Sequence, residues 1–228
     1  MSNKESFYLE GKNNIGVLLL HTLADNPLQM LELGKKLNKH GYSVSCPLYK
    51  GHGGTFLDVI QTDVTDWYDT VVEAYEELST KTEGVFAVGM SIGGTFAVKL
   101  AQEQNLRGLI TINAPIIGFD ILSDVFEFSK NTKNEELIER YRAHRMNYFH
   151  FVTKLGQMEQ LNKITCPFFA LQGSLDMIRY KTSTMMLMEY VHSDVKQRKD
   201  YGKSFHLLLL ENDKKEAMKD ILKFIEEN

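Results

Sequence analysis

From residue 7 onward, short apolar runs alternate with longer segments whose apolar positions recur at helical spacing. The runs at 15–20, 42–48, 85–89, 109–113 and 168–172 are nearly continuous in apolar residues, as strands buried on both faces of a parallel sheet must be. A more polar stretch, 195–201, is expected at the edge of that sheet. Amphipathic segments at 28–39, 64–78, 93–104, 183–192 and 214–226 predict helices, the last entered through Asn212 and Asp213, whose side chains suit free helical N–H groups. Such alternation predicts an α/β fold with a mostly parallel sheet and helices on both faces. The order of the strands is not legible in the pattern.

Residues 118–160 break the alternation. They carry no strand-like run, but several helical ones with Phe126, Phe128, Tyr141, Tyr148, Phe149 and Phe151 among many charges. The expectation is a helical insertion over the carboxyl edge of the sheet. No repeat, low-complexity tract or Pro/Gly/Ser-rich linker marks a boundary, so the insertion reads as a cap within one domain spanning 1–228.

Composition narrows the partners. With 43% hydrophobic and 25% charged residues, the 228-residue chain is an ordinary globular sequence with enough length for one large core. Its net charge of −4 leaves no basic surplus for gripping nucleic acid or an anionic membrane. The first ten residues lack the apolar stretch of a signal peptide, and the longest apolar runs fall far short of the roughly 20 residues that cross a bilayer. A soluble, cytoplasmic protein without stable membrane insertion is expected. Cys46 and Cys166, far apart and in no metal or redox spacing, are expected as free thiols. The oligomeric state is not legible.

The chemistry centres on Gly89-Met90-Ser91-Ile92-Gly93, which follows a predicted strand and precedes a predicted helix. A sharp strand-to-helix turn lifts a serine hydroxyl clear of the sheet, and it needs small neighbours such as Gly89 and Gly93. The helix that begins there aims free N–H groups and a positive dipole end at the place where an oxyanion develops.

With this elbow, the chain resembles the α/β-hydrolase superfamily, and within it the compact bacterial carboxylesterases and monoacylglycerol lipases. The segments Gly16-Val-Leu-Leu-Leu-His21 and Gly41-Tyr-Ser-Val-Ser-Cys-Pro-Leu-Tyr-Lys-Gly-His-Gly53, and Asp66-Trp67 opening a helix, carry the likeness further. The resemblance implies oxyanion donors at the backbone N–H groups of Ile92 and Leu23. It also implies bracing roles for His21 and His52. Relatives commonly place glycine after that first histidine, where this chain has Thr22, so the loop is expected to differ in shape.

In this fold the nucleophile is followed in the chain by an acid and then a histidine. Gln172-Gly173-Ser-Leu-Asp176 puts a carboxylate just beyond a predicted strand and makes Asp176 the expected acid. Of the histidines beyond the elbow, His144 and His150 fall in the insertion and His192 at a helix end. His206, after the edge strand, is the expected base, although relatives often have glycine where Phe205 precedes it.

The expected reaction is hydrolysis of carboxylic esters with short- to medium-chain acyl groups through an acyl-enzyme, with a small-molecule ester as substrate and no nucleic-acid partner. No residue set points to a metal or an organic cofactor. Phe126, Phe128, Tyr148 and Phe149 are candidates for the acyl pocket; an apolar pocket of that kind suits uncharged acids. A thioesterase or an esterase of cinnamate-like acids uses the same triad. A catalytically idle, ligand-binding homologue is the alternative of another class.

Overall fold

The computed structural model describes residues 5–117, 121–132 and 134–228. Seven strands form one sheet in the order β1-β3-β2-β4-β5-β6-β7. They are β1 Phe7–Leu9, β2 Ile15–Leu20, β3 Ser43–Cys46, β4 Gly84–Met90, β5 Gly108–Ile112, β6 Phe168–Gly173 and β7 Lys196–Tyr201. All neighbours pair in parallel except β1, which runs antiparallel to β3. This architecture is the α/β fold expected from the sequence.

The continuous apolar runs acquire a reason here. Val17 and Leu19 of β2 enter one core layer with Phe86 and Val88 of β4 and Ile110 of β5, whereas Leu18 and Leu20 enter the other with Ala87 and Leu109. The first layer is closed by Leu33 and Leu37 of α1 (Leu31–Lys39) and by Ile221 and Phe224 of α9 (Lys214–Glu227). The second is closed by Trp67 and Val71 of α3 (Val64–Ser79) and by Phe96 of α4 (Ile92–Glu103). A strand that feeds two layers has no polar face to spare.

Local chemistry sets the boundaries. Strand β3 stops at Cys46, two residues short of the expected 48, because Pro47 has no N–H for the ladder. Helix α3 starts behind a capping box in which Asp63 and Asp66 satisfy each other's backbone N–H groups. The four-residue α2 (Phe56–Val59) has the same device in Thr55 and Asp58. Helix α8 begins at Ile178, five residues before the expected start, and runs to Tyr190.

Asp213 precedes α9 but does not cap it. Its carboxylate instead accepts from the Lys203 N–H and the Ser204 hydroxyl, while Asn212 Nδ2 donates to the Lys203 carbonyl. The capping expected of this pair is therefore replaced by contacts to the loop after β7.

Between β5 and β6 lie α5 (Ile121–Ser129), α6 (Glu135–Leu155) and α7 (Met158–Leu161), the helical content expected of 118–160; positions 118–120 and 133 lie outside the described residues. Helix α6 packs on α3 and α4 through Tyr148, Val152 and Leu155. No helix among the described residues is long and apolar enough to cross a membrane. Cys46 and Cys166 are free, and burial raises both thiols above their ordinary value, Cys166 to about 11.

Candidate active site

Ser91 stands at the junction of β4 and α4 with φ 56° and ψ −124°, a conformation that costs a non-glycine residue free energy. Its N–H donates to the Ile112 carbonyl at 2.8 Å, which ties the turn to β5. A Cβ added at Gly89 would lie 2.1 Å from the Gly93 carbonyl oxygen, and one at Gly93 would lie 2.2 Å from that of Leu20. Both glycines are thus dictated by backbone approach on either side of the serine.

Asp176 follows β6 and His206 follows β7, both beyond the carboxyl ends of their strands. His206 Nε2 lies 2.8 Å from Ser91 Oγ, and its Nδ1 lies 2.8 Å from Asp176 Oδ2. The Asp176 side chain is 3% exposed and that of His206 is 28% exposed. With a carboxylate on Nδ1, that nitrogen carries the proton and Nε2 is free to accept from the serine. The other Asp176 oxygen, Oδ1, accepts from the Met177 N–H at 2.7 Å, which fixes the carboxylate. The three residues singled out from sequence therefore form one hydrogen-bonded line. His192, exposed, and His150, on the outer side of α6, stand outside it.

The loop carrying His206 is held by residues that the sequence did not reveal. Asn113, wholly buried at the end of β5 with φ 50°, donates through Nδ2 to the Phe205 carbonyl at 3.1 Å and to the His206 carbonyl at 2.7 Å. Its Oδ1 accepts from the Gly173 N–H at 2.8 Å, so one amide ties the end of β6 to the loop that carries His206. Asparagine tolerates the left-handed region better than most residues. On the other side, the Glu211 carboxylate accepts from the N–H groups of Phe205 and Leu207, which bracket His206. A Cβ at Gly173 would lie 1.9 Å from the Phe205 carbonyl oxygen, so the loop crosses β6 over that glycine. Phe205 itself points outward and is 58% exposed. The only legible sign of Asn113 was a polar residue closing the apolar run 109–113.

The loop after β2 makes its turn two residues beyond Thr22. Thr22 is not at positive φ; the left-handed residue is Ala24, at φ 54°. Thr22 is buried, and both its N–H and its hydroxyl donate to Gln29 Oε1, at 3.2 and 2.8 Å. Gln29 Nε2 donates in turn to Asp25. A glycine at 22 has no hydroxyl for this network, and with the turn placed at Ala24 none is needed.

His21 braces the same loop. Its Nε2 lies 3.4 Å from the Tyr49 N–H and its Nδ1 lies 2.8 Å from the Thr22 carbonyl, so Nδ1 is the protonated nitrogen. Burial drives the His21 pKa down to about 3, and it lowers those of His52 and His144 to about 4. His52 and His144 both lie against the Trp67 ring, at 4.8 and 5.1 Å between centroids.

A cavity of about 140 Å³ opens beside Ser91, with Leu23 and Ile92 on one side and Pro115, Ile117 and Tyr148 among its other walls. Of the four aromatic residues expected to line an acyl pocket, only Tyr148 does so. Phe128 instead stacks on Tyr141 at 4.2 Å, Phe149 pairs with His150 at 6.0 Å, and Phe126 is 61% exposed beneath Lys130. Phe149 follows Tyr148 on α6 and so points about 100° away from it around the helix, while Phe128 on α5 meets Phe56 and Tyr141. The remaining walls are Arg145, Arg179 and Tyr180, which the sequence did not single out. Among the described residues no group of His, Cys, Asp and Glu is arranged to hold a metal ion.

The family described as serine aminopeptidase, S33 matches residues 11–133, a span that contains Ser91 and the loop after β2 but ends before Asp176 and His206. A carboxylesterase of Bacillus subtilis (strain 168) is 28% identical over 225 residues, covering 92% of either chain. A thermostable monoacylglycerol lipase of Bacillus sp. (strain H-257) is 26% identical over 98% of this chain and 95% of its own. Among solved structures, one from work on the metagenome-derived lipolytic enzymes LipS and LipT superposes with a TM-score of 0.83 at 21% identity. That match covers 100% of this chain and 99% of the other.

Proposed function

The chain belongs to the serine aminopeptidase S33 family, and from that membership we propose that it is a serine hydrolase of carboxylic esters with short- to medium-chain acyl groups. The observation that carries the reading is the unbroken line from Ser91 Oγ through His206 to Asp176, with 2.8 Å at each step. In this reading His206 Nε2 takes the Ser91 proton as Oγ attacks the ester carbonyl carbon. The Ile92 and Leu23 N–H groups receive the negative charge that develops on the carbonyl oxygen. His206 then gives the proton to the departing alkoxide, which leaves as the alcohol. Water, deprotonated by His206, attacks the acyl-serine and releases the acid, and Ser91 regains its proton. Asp176 holds the ring in the tautomer that accepts at Nε2 and stabilises the imidazolium.

Two features favour esters over amino-terminal peptides. Two relatives that match nearly the whole chain are named a carboxylesterase and a monoacylglycerol lipase. An aminopeptidase also needs an anion to receive the substrate's ammonium, whereas among the described residues the charged ones lining the cavity beside Ser91 are both arginines. A volume of about 140 Å³ suits a short acyl group rather than a long fatty chain. Residues 118–160 act in this reading as a cap within a single domain, delivering Arg145 and Tyr148 to the site.

The test is labelling with a fluorophosphonate probe, followed by mapping of the modified peptide and a panel of p-nitrophenyl esters from acetate to decanoate. Modification at Ser91 with turnover highest on the shorter esters is expected. Turnover without modification of Ser91 would refute the assignment.

A further inference from the structure

We propose that Tyr180 is a positioning residue for the base: its ring, laid against the face of the His206 imidazole, keeps Nε2 aimed at the reacting centre. The inference rests on the reading of Ser91, Asp176 and His206 as a hydrolytic triad. The hydrogen bonds of that triad leave this task open. Asn113 and Glu211 grip the backbone around His206, and Asp176 grips the ring at one atom, Nδ1. The bond between Nε2 and Ser91 Oγ is given up in the reaction, when the serine oxygen becomes bound to the acyl carbon. From then on a ring held at Nδ1 alone can swing about that nitrogen, and a side chain 28% exposed has water to swing into. Contact with a ring face blocks the swing on the side where it lies.

Tyr180 supplies that contact. The two ring centroids lie 4.1 Å apart with 38° between the planes, closer than aromatic pairs usually come, and at that tilt the faces meet. The chain puts the ring there. Tyr180 lies in the first turn of α8, four residues after Asp176, so the acid and the ring arrive on one short segment. Ser183, buried in the next turn, fastens that segment to the chain after β5. Its hydroxyl donates to the Arg179 carbonyl at 2.9 Å and accepts from the Ile116 N–H at 3.1 Å. Arg179 fixes the aromatic ring from its far end. Its Nη2 donates to the Tyr180 hydroxyl at 2.9 Å, and its guanidinium carbon lies 4.8 Å from the ring centroid. With only two side-chain torsions, a tyrosine held at both ends is a stiff wall.

The experiment measures kcat/KM of the wild type, Tyr180→Phe and Tyr180→Leu on p-nitrophenyl acetate, p-nitrophenyl butyrate and ethyl butyrate. Ethyl butyrate releases an alkoxide that needs the proton from His206 Nε2, whereas p-nitrophenolate is stable enough to leave without it. Tyr180→Phe keeps the ring and is expected to stay within about threefold of wild type on all three esters. Tyr180→Leu is expected to lower both p-nitrophenyl esters alike, about tenfold, and ethyl butyrate about a hundredfold. Because Tyr180 also lines the cavity, a loss that falls on the butyrates and spares the acetate assigns it to the acyl group and overturns the proposal. So does a Leu variant within about twofold of wild type on ethyl butyrate, or a Phe variant as impaired as Leu. One measurement on the wild type stands even where the Leu variant fails to fold. The ring current of Tyr180 is expected to move at least one His206 ring C–H proton resonance upfield of its position in the unfolded chain, the signal being identified by its loss in His206→Gln. No such shift at either C–H overturns the contact itself. Failure of these tests with Ser91 still labelled by a fluorophosphonate removes the role of Tyr180 alone. A wild type that is neither labelled nor active on any of the three esters removes the hydrolase reading beneath it.

Discussion

Replacing Asn113 by alanine tests whether the active geometry is set by residues that never touch substrate. The change removes the bonds at 2.7 and 3.1 Å to the His206 and Phe205 carbonyls and the bond at 2.8 Å from the Gly173 N–H. At roughly 1 kcal/mol net for each bond, the loss is about 3 kcal/mol. Alanine at φ 50° adds about 1 kcal/mol of backbone strain that asparagine tolerates better. For a chain of this size, a total near 4 kcal/mol corresponds to a Tm about 8–16 °C lower. Activity should fall further than stability requires. With its carbonyl tether gone, the His206 ring drifts from Ser91, and a displacement near 1 Å costs about a hundredfold in rate. The assay is kcat on p-nitrophenyl butyrate at a temperature well below the variant's melt, with KM measured alongside. A fall confined to kcat supports a positioning role. Asn113→Asp should do no better, because it keeps the acceptor for Gly173 but turns a carboxylate oxygen toward two carbonyls. An Asn113→Ala protein within 2 °C of wild type by this estimate of about 8–16 °C, and within twofold in kcat, would refute the reasoning.

Ser91→Ala is expected to lower ester turnover by about 10³-fold or more without loss of Tm, since it removes one hydroxyl at a strained turn; residual activity above that level points to another nucleophile. Tyr148→Ala should change the acyl-length profile over p-nitrophenyl esters, whereas Phe126→Ala, at an exposed position away from the cavity, should leave it unchanged; an altered profile in the second alone contradicts the cavity described above. Stability should decline on acidification below about pH 6.5, because the unfolded chain takes up protons at His21, His52 and His144 that the folded chain resists until about pH 4 or 3. The contribution of these histidines is complete above the unfolded value and is lost as pH falls. In urea titrations between pH 7 and 5, His144→Phe should flatten the slope by up to about 1.4 kcal/mol per pH unit. An unchanged slope would show that burial does not hold that ring neutral.

The parts of the molecule that were legible in the sequence are those whose cause is local. Apolar runs such as Ile15–Leu20 announce strands because both faces of β2 meet helices. Ser91 was legible because its turn needs small neighbours within two residues on either side, and Asp176 and His206 because chain order in a recognisable fold fixes them. What was not legible depends on contacts across the sheet. Asn113 acts on residues 92 and 93 positions further along the chain, and nothing near it in sequence hints at that reach. The cap aromatics misled for a related reason. Composition counts Phe126, Phe128 and Phe149 equally with Tyr148, but the packing of α5 and of α6 decides which ring reaches the cavity beside Ser91. The two arginines were invisible among many surface charges until α6 and α8 brought them to one cavity. Strand β1 and helix α2, at three and four residues, are too short for periodicity to register.

Ser91 and His206 are 115 residues apart, and the loop between β7 and α9 is tied down by Glu211 and Asp213 at the threshold of α9. In the proposed mechanism, competence therefore depends on the last elements of the chain. In that mechanism a chain that has completed only its first five strands has the residues of the serine elbow but no base for its hydroxyl, and it is expected to stay chemically quiet until the loop before α9 is in place. Contacts of such long sequence separation form slowly, so the interval is not negligible. If the proposed mechanism holds, half-assembled chains are not expected to acylate themselves at an immature serine, and the arrival of turnover during refolding is expected to act as a clock for the closing of the whole topology.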